Sequence, residues 1–172
     1  MIMYILAAIC GVAILAVDQL TKAYIVSEFA LAQSRTFIPG ILNFTYVHNK
    51  GGAWGMMEGH TWLLISLTVI IMIICLAMLV TRGIKDKMFF WSVIFILSGG
   101  LGNLIDRVFR SGVVVDFLHL DFMPNFPVFN IADCAIVIGA GLLMLNLLVD
   151  ILRERKERHA VIKKEHSADA QD

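Results

Sequence analysis

The chain has 172 residues, 59% of them hydrophobic and 16% charged, with 14 Lys and Arg balanced by 14 Asp and Glu. Soluble domains hold roughly 45–50% apolar residues, so this composition excludes an ordinary soluble domain and points to an integral membrane protein. Zero net charge, with no basic stripe interleaved with aromatics, sets nucleic-acid binding aside.

Apolar runs of bilayer length, about 20 residues each, at Ile2–Leu20, Trp62–Val80, Met88–Ile105 and Val128–Val149 predict four transmembrane helices. Met1 to Tyr4 carry no basic side chain, so the first run reads as a retained span rather than a signal peptide. Arg82, Lys85 and Lys87 fill the link between spans two and three, and Arg153, Arg155, Lys156 and Arg158 follow span four. By the positive-inside rule both termini are then cytoplasmic, and the connections after spans one and three lie outside. Residues 1–160 are expected to form a single membrane domain, with a disordered cytoplasmic tail over 161–172.

Asp18-Gln19-Leu20-Thr21-Lys22 closes the first run. Lys22 suits a helix C-terminus, but Asp18 sits where the macrodipole disfavours an acid, which calls for a specific partner. In the outer connection, Arg35 to Gly40 carries a turn signal and Ile41 to Val47 is rich in strand formers. A small β element and an interfacial loop are both compatible with that pattern. His48-Asn49-Lys50-Gly51-Gly52-Ala53-Trp54-Gly55 follows, without the Ser/Thr of a P-loop; a loop whose backbone and Asn49 amide reach a peptide and an ordinary flexible loop are both compatible with it.

Span three ends in Ser98-Gly99-Gly100-Leu101-Gly102-Asn103-Leu104-Ile105-Asp106-Arg107. If helix persists there, Asn103 and Arg107 share a face, and Arg107 either neutralises a carboxylate or simply complements the helix end. Asp116 follows Val113-Val114-Val115 in a stretch suited to a strand. Asp133, in Phe129-Asn130-Ile131-Ala132-Asp133-Cys134, can be the acid of a capping box begun by Asn130. It is also an ionisable group in a membrane-length segment, where such groups mark functional sites. Two aspartates sharing one proton can activate water with one carboxylate and polarise a carbonyl with the other. Cys10, Cys75 and Cys134 sit singly in apolar runs, with no zinc-ligand spacing, and read as buried hydrophobes.

Taken together, DQLTK at Asp18–Lys22, HNKGGAWG at His48–Gly55, GGLGNLIDR at Gly99–Arg107, VVDF at Val114–Phe117 and FNIADCAI at Phe129–Ile136 resemble the ordered motifs of the lipoprotein signal peptidase family, the bacterial type II signal peptidases. The resemblance implies an all-α integral membrane protein with four spans and a small extracytoplasmic β-like element, located in the bacterial inner membrane. The activity it implies is that of an aspartic endopeptidase, which removes signal peptides from prolipoproteins just before a diacylglyceryl-modified cysteine. It implies Asp116 and Asp133 as the catalytic dyad, with Asp18, Asn49, Asn103, Arg107 and Asn130 supporting the site. No metal or organic cofactor is implied; the partners are prolipoproteins and membrane lipid, and a monomer is expected. Gly52 departs from the family's more usual alanine and loosens that loop. The alternative from another class is a proton-coupled transporter with Asp116 and Asp133 as relay groups; the gathering of the acids at one face of the membrane favours the peptidase.

Overall fold

A computed structural model describes residues 1–52, 55–82 and 86–169. The order is α1 (Ile2–Glu28), β1 (Ser34–Ile38), β2 (Leu42–Asn49), α2 (Thr61–Arg82), α3 (Lys87–Phe109), β3 (Val114–Leu120) and α4 (Ile131–Asp169). Each helix carries a stretch long and apolar enough to cross a membrane. The expected fold class therefore holds: four membrane-length helices and one small sheet. Ala53 and Trp54 of the glycine-rich motif, Lys85 of the basic link and residues 170–172 lie outside the described residues.

α3 is the most buried of the helices and packs against the other three. Its small residues make that possible, because a helix backbone can approach closely only where no side chain intervenes. A Cβ on Gly99 would strike the backbone of α4 at Ala132, and one on Gly102 would lie 2.7 Å from Asp18 Oδ2 of α1. At the opposite end Asp86 caps α3, accepting from the backbone N–H of Met88 and Phe89 at 3.0 and 3.1 Å. Two N–H groups of the first turn are satisfied this way.

The sheet is antiparallel in the order β1-β2-β3. Of the two readings of the first outer connection, the sheet is the one observed, and the stretch from Arg35 is mostly strand. Only residues 39–41 make the turn between β1 and β2. β2 pairs with β3 so that Val47 faces Asp116 and Asn49 faces Val114. Tyr46, Val115, Phe117 and Leu118 of the sheet form one buried cluster with Ile25 and Phe29 at the end of α1. Beyond β3, Phe129 pairs with Leu118, its N–H donating to Leu118 O at 3.0 Å while Leu118 N–H donates to Phe129 O at 2.8 Å. That pairing draws the start of α4 back beside the strand that carries Asp116.

Three boundaries differ from the sequence expectation. α1 continues beyond Leu20 to Glu28, because Ile25 finds the sheet to pack on, and this places Lys22 inside the helix and fully buried. α3 likewise reaches Phe109. α4 runs past the expected span end at Val149 to Asp169.

Candidate active site

Each proposed site residue is held by an element whose local sequence explains its position. Asn130 and Asp133 form a reciprocal cap at the start of α4: Asp133 N–H donates to Asn130 Oδ1 at 2.9 Å and Asn130 N–H to Asp133 Oδ2 at 3.1 Å. This is the capping-box pattern expected from the sequence. Asn49 closes a tight turn after β2, its Oδ1 accepting from the N–H groups of Gly51 and Gly52 at 3.0 and 2.8 Å. Its Nδ2 is thereby turned outward, and donates to Asp116 Oδ2 at 2.8 Å.

Asp116 lies in β3 with only 1% of its surface exposed. Asn130 Nδ2 donates to its other oxygen, Oδ1, at 2.6 Å. Burial, and then the negative charge of Asp133, push the Asp116 carboxyl up from the ordinary 3.8 to about 7, against the hydrogen bonds from Asn49 and Asn130 and the charge of Lys22. Asp133 accepts at Oδ1 from Asn103 Nδ2 at 2.7 Å. Every carboxylate oxygen of the pair thus faces an amide donor, and Asn130 touches both members.

Behind this pair is a buried ionic network. Lys22 Nζ lies 2.9 Å from Asp18 Oδ2 and 3.0 Å from Asp106 Oδ2, and donates to Asn103 Oδ1 at 3.1 Å. Asp18 Oδ1 accepts from Ala132 N–H at 2.9 Å, tying α1 to the first turn of α4. Asp106 Oδ2 accepts from Val115 N–H at 3.1 Å, and its Oδ1 meets Arg110 Nε at 3.2 Å. Gln19 Nε2 bridges Asp18, Asp106 and the Gly102 carbonyl. Asp18 therefore has the partners its awkward helix position called for.

In front of the pair is a cavity of about 670 Å³. Asn49, Asn103, Arg107, Asp116 and Asp133 line it, together with an apolar wall that includes Val128, Phe129, Ile136, Val137 and Ile138. Arg107 stands within electrostatic reach of Asp133, Asp116 and Asp106, and its buried Nε has no hydrogen-bond partner among the described residues. Among the described residues no set of three His, Cys, Asp or Glu side chains is arranged to hold a metal ion.

All the residues named from the sequence converge here, five on the cavity wall and Asp18 and Asn130 behind it. Sequence reasoning missed Lys22 and Asp106 as members of the network. For Lys22 the signal was present: Asp18, Lys22, Ile25 and Phe29 recur at helical spacing, so one face of α1 continues past the apolar run.

Known proteins resemble this chain throughout. Residues 10–149 match the family model described as Signal peptidase (SPase) II. The lipoprotein signal peptidase of Halalkalibacterium halodurans is 37% identical over 161 residues, 93% of this chain and 100% of that protein. The lipoprotein signal peptidase of Enterococcus faecalis is 38% identical over 133 residues, 77% of this chain and 81% of that protein. A bacterial membrane enzyme solved by the in meso method at 2.3 Å superposes with a TM-score of 0.75 at 34% identity, covering 84% of this chain and 88% of that one. A second, solved at 1.9 Å, gives 0.71 at 34% identity, with 83% and 92% covered.

Proposed function

This chain belongs to the signal peptidase II family, a family of peptidases that process prolipoproteins, and from that premise we propose that it is an aspartic endopeptidase with Asp116 and Asp133 as its catalytic dyad. The observation that carries the proposal is the convergence of these two carboxylates on one apolar cavity, both bonded to Asn130. A lone carboxylate on a loop needs no such surroundings.

The two members are differently equipped. Both have an amide donor on each oxygen, but only Asp133 also has the N-terminus of α4 behind it, which suits negative charge. Asp116, on a strand and pushed up to about 7, keeps a proton near neutrality. Asp116 then donates a hydrogen bond to the scissile carbonyl oxygen while Asp133 takes a proton from the attacking water. The water oxygen bonds to the carbonyl carbon, and the Asp116 proton passes to the former carbonyl oxygen. On collapse the C–N bond breaks, the leaving nitrogen takes the proton held by Asp133, and a diol proton returns to Asp116. No acyl-enzyme forms, and the chain's own residues complete the cycle.

The apolar wall of the cavity fits the acyl chains of a diacylglyceryl cysteine, with cleavage just N-terminal to that residue. The Lys/Arg bias puts both termini in the cytoplasm and the dyad near the outer face of the inner membrane. The test is cleavage of lipidated and unlipidated prolipopeptide by wild type, Asp116→Asn and Asp133→Asn. The lipidated peptide alone should be cut efficiently, and each variant should remain folded with kcat lowered by about 10³-fold or more. Normal cleavage by either folded variant would remove that aspartate from the dyad.

A further inference from the structure

Three asparagine amides present their Nδ2 groups to the two carboxylates, and each works only if it cannot turn over. A flipped amide would point its carbonyl oxygen at a carboxylate oxygen. For Asn49 and Asn130 the backbone prevents this, since each Oδ1 is held by N–H groups of its own turn or helix cap. Asn103 sits within α3 and has no such backbone donor among its hydrogen bonds. Its Oδ1 is held instead by Asn130 Nδ2 at 3.0 Å and by Lys22 Nζ at 3.1 Å.

An ammonium group is a donor only, so it tolerates nothing but the oxygen of an amide. Lys22 has three protons, and Asp18, Asp106 and Asn103 supply an acceptor for each. Its side chain is 0% exposed, which leaves no water to substitute for any of them. A lysine that served only to join α1 to α3 needed no bond to Asn103, because its contact with Asp106 already provides that link.

We propose that Lys22 is a positioning residue for the reaction: acting through Asn103, it fixes the amide so that Nδ2 faces Asp133. The inference rests on the dyad reading above. It makes the orientation of Asp133 depend on a cation in another helix, two hydrogen bonds away.

The test uses the full chain in detergent or bicelles and a lipidated prolipopeptide. Every form carries Asp106→Asn, so that removing the ammonium leaves the buried network with the net charge it has natively. Against that reference, adding Lys22→Met should lower kcat by about 10- to 100-fold, the worth of one charge-assisted hydrogen bond, with KM within about twofold. Lys22→Gln, whose amide can donate but can also turn, should fall between the two. In an Asn103→Ala background, read under single turnover with excess enzyme, the same Lys22 exchanges should cost less than about twofold, because their route of action is gone.

A full repeat of the kcat loss in the Asn103→Ala background would overturn the proposal, as would a loss confined to KM. If the Met form does not fold, the Gln form carries the same comparison. Activity in Asp116→Asn or Asp133→Asn would sink the dyad reading itself, whereas inactive dyad variants with additive Lys22 and Asn103 effects would sink this inference alone.

Discussion

Asn130 donates its Nδ2 to Asp116 Oδ1 at 2.6 Å across a sequence separation of 14 residues, while the backbone N–H of the same residue holds Asp133. One residue thus sets the distance and relative orientation of the two carboxylates. Asn130→Ala is expected to keep the four-helix fold and lower kcat by about 10²-fold, in line with the loss of one preorganised donor. It should also cost about 1 kcal/mol of stability through the lost cap. Kinetics on the lipidated prolipopeptide, read beside a thermal melt, checks both.

The position of Asp116 makes activity and stability depend on pH in linked ways. Its carboxyl is raised to about 7 in the fold, from an ordinary 3.8. Between those values the folded chain keeps a proton that the unfolded chain releases. The contribution to stability is therefore fully present below about pH 4 and is lost as pH rises through about 7. Asp116→Asn should melt higher than wild type by a margin that widens from pH 4 to pH 8. The same titration should end catalysis at the alkaline side, with kcat/KM falling as pH rises through about 7.

Arg107 brings to the cavity, beside both carboxylates, a buried Nε that has no hydrogen-bond partner among the described residues. Arg107→Gln is expected to lower kcat/KM by about 10- to 100-fold, the worth of a charge-assisted contact. Lys should restore only part of this, since an ammonium cannot reproduce the planar fork of donors. A full rescue by Lys would show that charge alone is required.

Two glycines separate packing from catalysis. A Cβ on Gly139 would lie 2.7 Å from the Ser92 carbonyl oxygen, and one on Gly102 would lie 2.7 Å from Asp18 Oδ2. Both Ala substitutions should destabilise by about 1–3 kcal/mol through overpacking. Only Gly102→Ala should also lower kcat, because it displaces a carboxylate bonded to Lys22 and to the first turn of α4. Equal kcat in the two folded variants would disconnect Asp18 from the site.

Much of this molecule was legible in the chain itself. Apolar runs of bilayer length mark the helices, because a membrane admits few other ways to satisfy a backbone. The capping box of Asn130 and Asp133 is local, spanning three residues, and so could be read directly. The strand at Asp116 followed from its valines and aromatics. Beyond these local patterns the sequence was less informative. The end of α1 was misjudged because hydropathy stops at Leu20, while the helix continues on contacts that Ile25 and Phe29 make with the sheet. β1 was masked by the turn residues beside it.

What the sequence by itself determined is a membrane protein of four helices, its family motifs and the residue types at the site. Tertiary structure alone decided that these residues meet. Phe129 pairs with Leu118 and brings Asp133 to Asp116, and glycines on α3 let α1 and α4 close around it. The clearest case is Lys22, which in sequence is an ordinary cation after an apolar run. Only packing removes it from water, and a buried ammonium with three acceptors orients its neighbours because it has no other partner to choose.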